Sequence, residues 1–176
     1  MNAGDVNWQS ITLFDGLGEV MLDKVKAIFD VRAVPAGRDL IVEGEQGDEM
    51  FILISGRVRV TKSMLLRDMV LPIMETANPR KVLATLDGES HPVFGEIALI
   101  DSDTRSATIH VMEDSEFLVT NRRRFFELVD REPVLGNRLL VVLARRMAST
   151  VRKGNAELIK VSTALALALS RFRPGM

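Results

Sequence analysis

The sequence predicts a mainly β protein, a sandwich or barrel of short strands with a helix before it and helices after it, and three observations carry that expectation. From Val31 to Thr120, short alternating or apolar runs are punctuated by glycine, proline, aspartate and asparagine, with turn signals about every ten residues, as in antiparallel sandwiches and barrels rather than parallel α/β sheets. Before that region, Leu17, Val20, Met21, Val25, Ile28 and Phe29 recur at helical spacing, so Leu13 to Phe29 is expected to be an amphipathic helix. After Thr120 the helical period returns.

Within the β region the strand-like runs are "VRAVPAGRDL", "IVEGEQGDEM", "FILISGRVRV", "KVLATLDGES", "SATIHVMEDS" and "EFLVT". Gly56, between two of these runs, suggests a tight hairpin. The segment Ser63 to Arg80, "SMLLRDMVLPIMETANPR", breaks the rhythm with a cluster of Met, Leu, Val and Ile. It is expected to be an elongated hairpin whose apolar face packs on the sandwich; the alternative is a flap used for dimer or partner contact. Asn121 suits the N-cap of "RRRFFELVDRE", and Pro133 suits the first turn of the next helix,. From Val134 to Val151 an apolar stripe of Leu139, Leu140, Leu143, Met147 and Val151 is opposed by Arg138, Arg145, Arg146 and Arg152. A last helix from about Leu158 to Ser170 is expected, separated from this one near Gly154-Asn155.

Bulk composition narrows the function. The 176 residues suit one ordinary domain, or a domain with a helical extension,. With 23 basic and 24 acidic residues the net charge is −1, so no global field is available to hold nucleic acid or an acidic membrane and any anion site must be local. The absence of cysteine removes thiol nucleophiles, thiolate zinc sites and disulfides together,. Two histidines, His91 and His110, are too few and too scattered for a metal cluster. The N-terminus lacks a signal-peptide pattern, and the apolar run Ala164 to Leu169 falls far short of the roughly 20 residues that span a bilayer. A cytoplasmic location, no membrane and no enzymatic activity are expected, since no nucleophile–base pairing is evident.

The stretch "VFGEIALIDSDTRSATIHV", Val93 to Val111, carries one carboxylate and one guanidinium, Glu96 and Arg105, in surroundings that look buried. A phosphate held inside a β-sandwich needs a bidentate cation and backbone N–H groups. A short helix opening after Gly95 would supply the N–H groups, and Gly95 would allow close backbone approach. Arg105 would supply the fork, and ionised Glu96, an acceptor only, suits a ribose hydroxyl. The residues alone equally allow a ligand-free ion pair of Glu96 with Arg105 that braces a loop.

"FGEIAL" followed by "RSAT" resembles the phosphate-binding cassette of the cyclic nucleotide-binding domain family at Phe94, Gly95, Glu96, Ala98, Leu99, Arg105, Ser106, Ala107 and Thr108. The earlier "EGEQGDEMFILISGRVRV" is similar to that family's other signature at Glu43, Gly44, Gly47, Asp48, Phe51, Gly56 and Val58. The resemblance covers about Leu13 to Val151. It is to the sensor domains of bacterial catabolite activator-type proteins and of protein kinase A regulatory subunits, and implies a jelly-roll β-sandwich (double-stranded β-helix).

It further implies that Arg105, the side chain of Ser106 and the N–H of Ala98 bind the cyclic phosphate, and that Glu96 with Gly95 binds the ribose. Thr150, after "ARR" on the long helix, is implied to reach the base, with Leu83 as a second base contact; a solvated helix threonine is the alternative for Thr150. Gly47 and Gly56 would be turn residues. "DGESHPV" departs from the family's lead-in to the cassette and would put Ser90, His91 and Pro92 near the pocket mouth, with His91 a loop residue rather than a contact. The ligand implied is cAMP ahead of cGMP, with no other cofactor and no metal.

The organisation expected is a lead-in over 1–12, the nucleotide-binding jelly roll with its N-terminal helix over 13–120, and capping or dimerisation helices over 121–176. Residues Asn155 to Met176 leave no room for a recognition helix, so direct DNA binding is not expected. The partners expected are a cyclic nucleotide, a second copy in a homodimer, and a separate protein effector. A sensory fragment of a larger regulator, kinase or channel is the second reading, and a degenerate non-binding interaction module the third; retention of Glu96 and Arg105 counts against the last.

Overall fold

The computed structural model describes residues 6–63 and 80–171. In chain order the regular elements are α1 (Glu19–Lys26), β1 (Asp30–Val34), β2 (Asp39–Ile41), β3 (Glu49–Ser55), β4 (Arg57–Ser63), β5 (Arg80–Asp87), β6 (Val93–Phe94), α2 (Glu96–Asp101), β7 (Thr108–Val111), β8 (Ser115–Asn121), α3 (Arg122–Arg131) and α4 (Pro133–Arg171). The chain divides into two compact units, Met1–Asn137 and Arg138–Met176.

The first unit is the expected β-sandwich. Among the described residues its strands form two four-stranded sheets, β1-β8-β3-β6 and β2-β7-β4-β5, with every neighbouring pair antiparallel. Alternate residues turn inward, so Phe51, Leu53 and Phe117 of one sheet meet Val58, Ile109 and Val111 of the other in a single core cluster,. Phe51 and Phe117 pack edge to face at 6.3 Å, an arrangement worth about 1 kcal/mol beyond area burial. Gly56 links β3 to β4 at φ +92°, as the hairpin expectation requires. In the β4–β5 ladder Val60 pairs with Ala84 and Thr61 with Val82, which leaves Leu83 as the extra residue of a bulge,. The expectation for Ser63 to Arg80 falls largely outside the described residues; Ser63 and Arg80 themselves pair across the two strands.

The N-terminal helix is shorter than the periodicity suggests. Gly16 takes φ +71° and Gly18 is an extended N-cap, so α1 starts only at Glu19 and is preceded by a 3-10 turn over Thr12–Phe14. The apolar spacing upstream serves aromatic packing instead: Phe14 lies 5.7 Å from Trp8 and 5.6 Å from Phe29, ring centre to ring centre. At the other end of the sandwich Asn121 caps α3 as expected, accepting from the Arg124 N–H at 3.0 Å. Pro133 opens α4, also as expected.

The helix α4 overturns the expected break near Gly154-Asn155, since it runs unbroken to Arg171. A glycine inside an exposed helix costs about 1 kcal/mol relative to alanine yet still donates its backbone hydrogen bond. Gly154 keeps a negative φ and has open space where a Cβ would sit, so neither a left-handed cap nor a packing constraint stops the helix there. Within the second unit Val151, Leu158, Ile159, Val161, Leu165, Leu167 and Leu169 are exposed. Among the described residues no helix is long and apolar enough to cross a membrane.

Candidate functional site

Three short pieces of chain converge on Arg105. The first is the turn before α2: Gly95 sits at φ +77° as the helix N-cap, a conformation that only glycine adopts without strain. The first helical bond runs from Leu99 N–H to Gly95 O at 3.0 Å, so the N–H groups of the opening turn, including that of Ala98, precede any intrahelical partner. The second piece is the loop between β2 and β3. Arg105 fixes it with its own backbone, donating from N–H to Glu45 O at 2.9 Å and accepting from Gly44 N–H at 2.9 Å. The third is the start of β3, whose Glu49 carbonyl accepts from Arg105 Nη1 at 2.8 Å.

The guanidinium is buried, with 8% of the residue exposed. Nη1 donates to Glu49 O and, at 3.4 Å, to Gly95 O. No carboxylate of the described residues stands at ion-pair distance from it. Burial pushes its pKa below the usual arginine value, and the charges of Glu49 and Asp48 oppose that shift. Guanidinium presents five N–H donors in a fixed fork, and among the described residues no acceptor is recorded for Nε or Nη2. The result is a buried cation that no carboxylate among the described residues meets at ion-pair distance, an arrangement that is costly unless an anion completes it. The ion pair with Glu96 that the residues alone allowed is not what braces Arg105; two backbone carbonyls do that.

Gly47 and Gly95 make this placement possible. A Cβ on Gly47 would lie 2.7 Å from both Nε and Nη2 of Arg105, and one on Gly95 would lie 2.5 Å from Nη1 and from Glu49 O. Gly47 is therefore more than the turn residue that the resemblance implied. Its fit to Arg105 is legible in the sequence only as a glycine, because the two residues are far apart in the chain.

The remaining site residues are spread more widely. Glu96 is the first residue of α2 and half-buried, and Ala98 is buried two residues further along the same helix. Ser106 is exposed beside Arg105, and its carbonyl accepts from Lys62 Nζ at 3.1 Å. Leu83 is half-exposed at the bulge of β5, on the edge of its sheet. Thr150 is an exposed residue of α4 in the second unit. His91 is a loop residue, as expected: Nε2 is 2.9 Å from Ser10 Oγ and Nδ1 is 3.3 Å from Leu53 O, so its ring is engaged with the N-terminal segment and β3. No group of three or more metal-ligating side chains occurs among the described residues.

A jelly-roll sandwich that encloses a glycine-lined, buried guanidinium beside a helix opening is the architecture of a domain class that comparison with known proteins names. The chain belongs to the cyclic nucleotide-binding domain family, whose model matches residues 31–132. Among known proteins it is 31% identical to the cyclic AMP receptor protein of Thermus thermophilus over 77% of this chain and 56% of that one. It is 35% identical to human cGMP-dependent protein kinase 2 over 69% of this chain and 14% of the kinase. The crystal structure of the Thermus thermophilus catabolite activator protein superposes with a TM-score of 0.68 at 29% identity, covering 86% of this chain and 63% of that one. The chain thus spans little more than half of the first relative and a small part of the second.

Proposed function

We propose that this chain is a cyclic nucleotide sensor that binds cAMP in preference to cGMP. In this reading Arg105 pairs with the exocyclic oxygens of the cyclic phosphate through Nε and Nη2, assisted by the Ala98 N–H and the Ser106 hydroxyl. Glu96 and the Gly95 backbone take the ribose, and Thr150 and Leu83 meet the base. The helices over 121–176 pass occupancy to a dimer interface or a separate protein effector. The single observation that supports it most is the buried Arg105 guanidinium, which no carboxylate among the described residues meets at ion-pair distance. Bidentate charge-assisted hydrogen bonds from such a fork suit a phosphate.

The preference for cAMP rests on the cyclic AMP receptor protein, which aligns over more of this chain than the cGMP-dependent kinase does. Competition against a fluorescent cyclic nucleotide tests the roles. Displacement in the order cAMP, cGMP, 2′-deoxy-cAMP supports them; equal displacement by cAMP and its 2′-deoxy form removes Glu96 from the ribose, and stronger displacement by cGMP reverses the base preference. A second reading, the sensory part of a longer regulator, draws on the partial coverage of the relatives.

A further inference from the structure

We infer that Arg122, the first residue of α3, is a positioning residue that locks the cassette helix α2 to α3 and makes ligand affinity and the state of α3 depend on each other. Its guanidinium belongs to two elements at once. Nη1 donates to the carbonyls of Leu99 and Ile100, the latter at 2.7 Å, in the last turn of α2. The same guanidinium lies 4.6 Å from the ring centre of Phe126, one turn further along α3. Carbonyls in a final turn have no helical donor, and a cation there is favoured by the helix dipole. The cation–π contact with the ring holds the guanidinium that serves them,.

The backbone of Arg122 makes a further link. Its N–H donates to Asp48 O at 2.9 Å, while the next carbonyl, that of Glu49, accepts from Arg105 Nη1 at 2.8 Å. Two consecutive carbonyls at the start of β3 are therefore held by the phosphate-site arginine and by the first residue of α3. Neither neighbour in the arginine run substitutes for it. Arg123 is exposed, and Arg124 turns away to Asp30 and the Ala27 carbonyl. Movement of α2 or of the Asp48–Glu49 edge when Arg105 engages an anion must carry α3 with it or break these bonds. The coupling is reciprocal: whatever α3 gains from ligand, ligand gains from α3.

The inference rests on the cyclic nucleotide reading, and the test separates the two. Hydrogen exchange is followed in α3 and in α2 of the intact chain, with and without saturating cAMP, for wild type, Arg122→Met and Arg122→Lys; affinity is measured by calorimetry. In wild type, cAMP is expected to slow exchange in both helices. In Arg122→Met the affinity is expected to fall about tenfold, the scale of one charge-assisted hydrogen bond, with protection kept in α2 and lost in α3. Arg122→Lys keeps the charge without the planar fork, is expected to fold even if the Met variant does not, and should recover affinity in part but not the α3 response. Unchanged α3 protection in either folded variant overturns the inference and leaves the sensor reading intact. Absence of cAMP and cGMP binding by wild type overturns both.

Discussion

Gly47 and Arg105 fit together so closely that a Cβ on Gly47 would stand 2.7 Å from two nitrogens of the guanidinium. The loop between β2 and β3 is thereby tied to Arg105 through a residue that has no side chain of its own. The clash would fall on the far end of a flexible side chain, so Arg105 would yield rather than the backbone. Gly47→Ala is expected to lower cyclic nucleotide affinity by about tenfold or more while costing under about 1 kcal/mol of stability; paired calorimetric titration and denaturant melts check both numbers.

Gly95→Ala should behave differently. Its backbone is left-handed and its Cβ would meet the Glu49 carbonyl as well as Arg105. Strain of about 1–2 kcal/mol adds to a clash that β3 cannot relieve without moving. The expected outcome is a loss of stability of about 2 kcal/mol or more together with loss of binding, visible as a lower urea midpoint.

Burial of the Arg105 charge carries a cost to the empty protein. Folding lowers the pKa of the group, so the folded state binds its proton less tightly than the unfolded state does. The penalty is present throughout the neutral range and would lift only as pH rises through the lowered value, at strongly alkaline pH. Arg105→Met is therefore expected to melt at the same temperature as wild type or higher without ligand. Saturating cAMP should raise the melting temperature of wild type, by the equivalent of about 2.7 kcal/mol at a hundred times Kd, and leave that of the variant unchanged.

Asn121→Ala removes the acceptor of the Arg124 N–H at the start of α3. A lost N-cap costs about 1 kcal/mol, and Asn121→Asp should preserve most of it. Chemical denaturation of the two variants side by side checks the difference.

Gly154→Ala tests the continuity of α4. With open space at the Cβ position, alanine should stabilise the helix by about 1 kcal/mol and leave its helical circular dichroism signal equal or stronger. A fall in helicity would mean that a left-handed glycine ends the helix there.

Most of the sandwich was legible because period-two alternation and turn residues are local signals: Gly56, Gly95, Asn121 and Pro133 each sit where their backbone chemistry suggests. The errors came where a local signal was ambiguous. The spacing from Leu13 onward fits a helix until the left-handed Gly16 interrupts it, and Gly154 looks like a stop signal although nothing in its surroundings uses it as one. Arg105 was legible as the candidate for a phosphate ligand, but the carbonyls that support it were not. A carbonyl is invisible in the residue that carries it, so the roles of Glu49 O and Asp48 O emerge only when β3, α2 and α3 are brought together. The role of Arg122 is invisible in the sequence for the same reason, since its acceptors are backbone atoms of α2.

The central claim is that the buried charge of Arg105 is completed by a cyclic phosphate. Calorimetric titration of ligand-free, folded protein with cAMP, run beside Arg105→Ala, tests it most directly. Saturable one-site binding in wild type that weakens by at least about a hundredfold in the variant, as expected when a buried charge–phosphate pair is broken, is the predicted result. Equal affinity in the two proteins, or no binding by wild type, would contradict it.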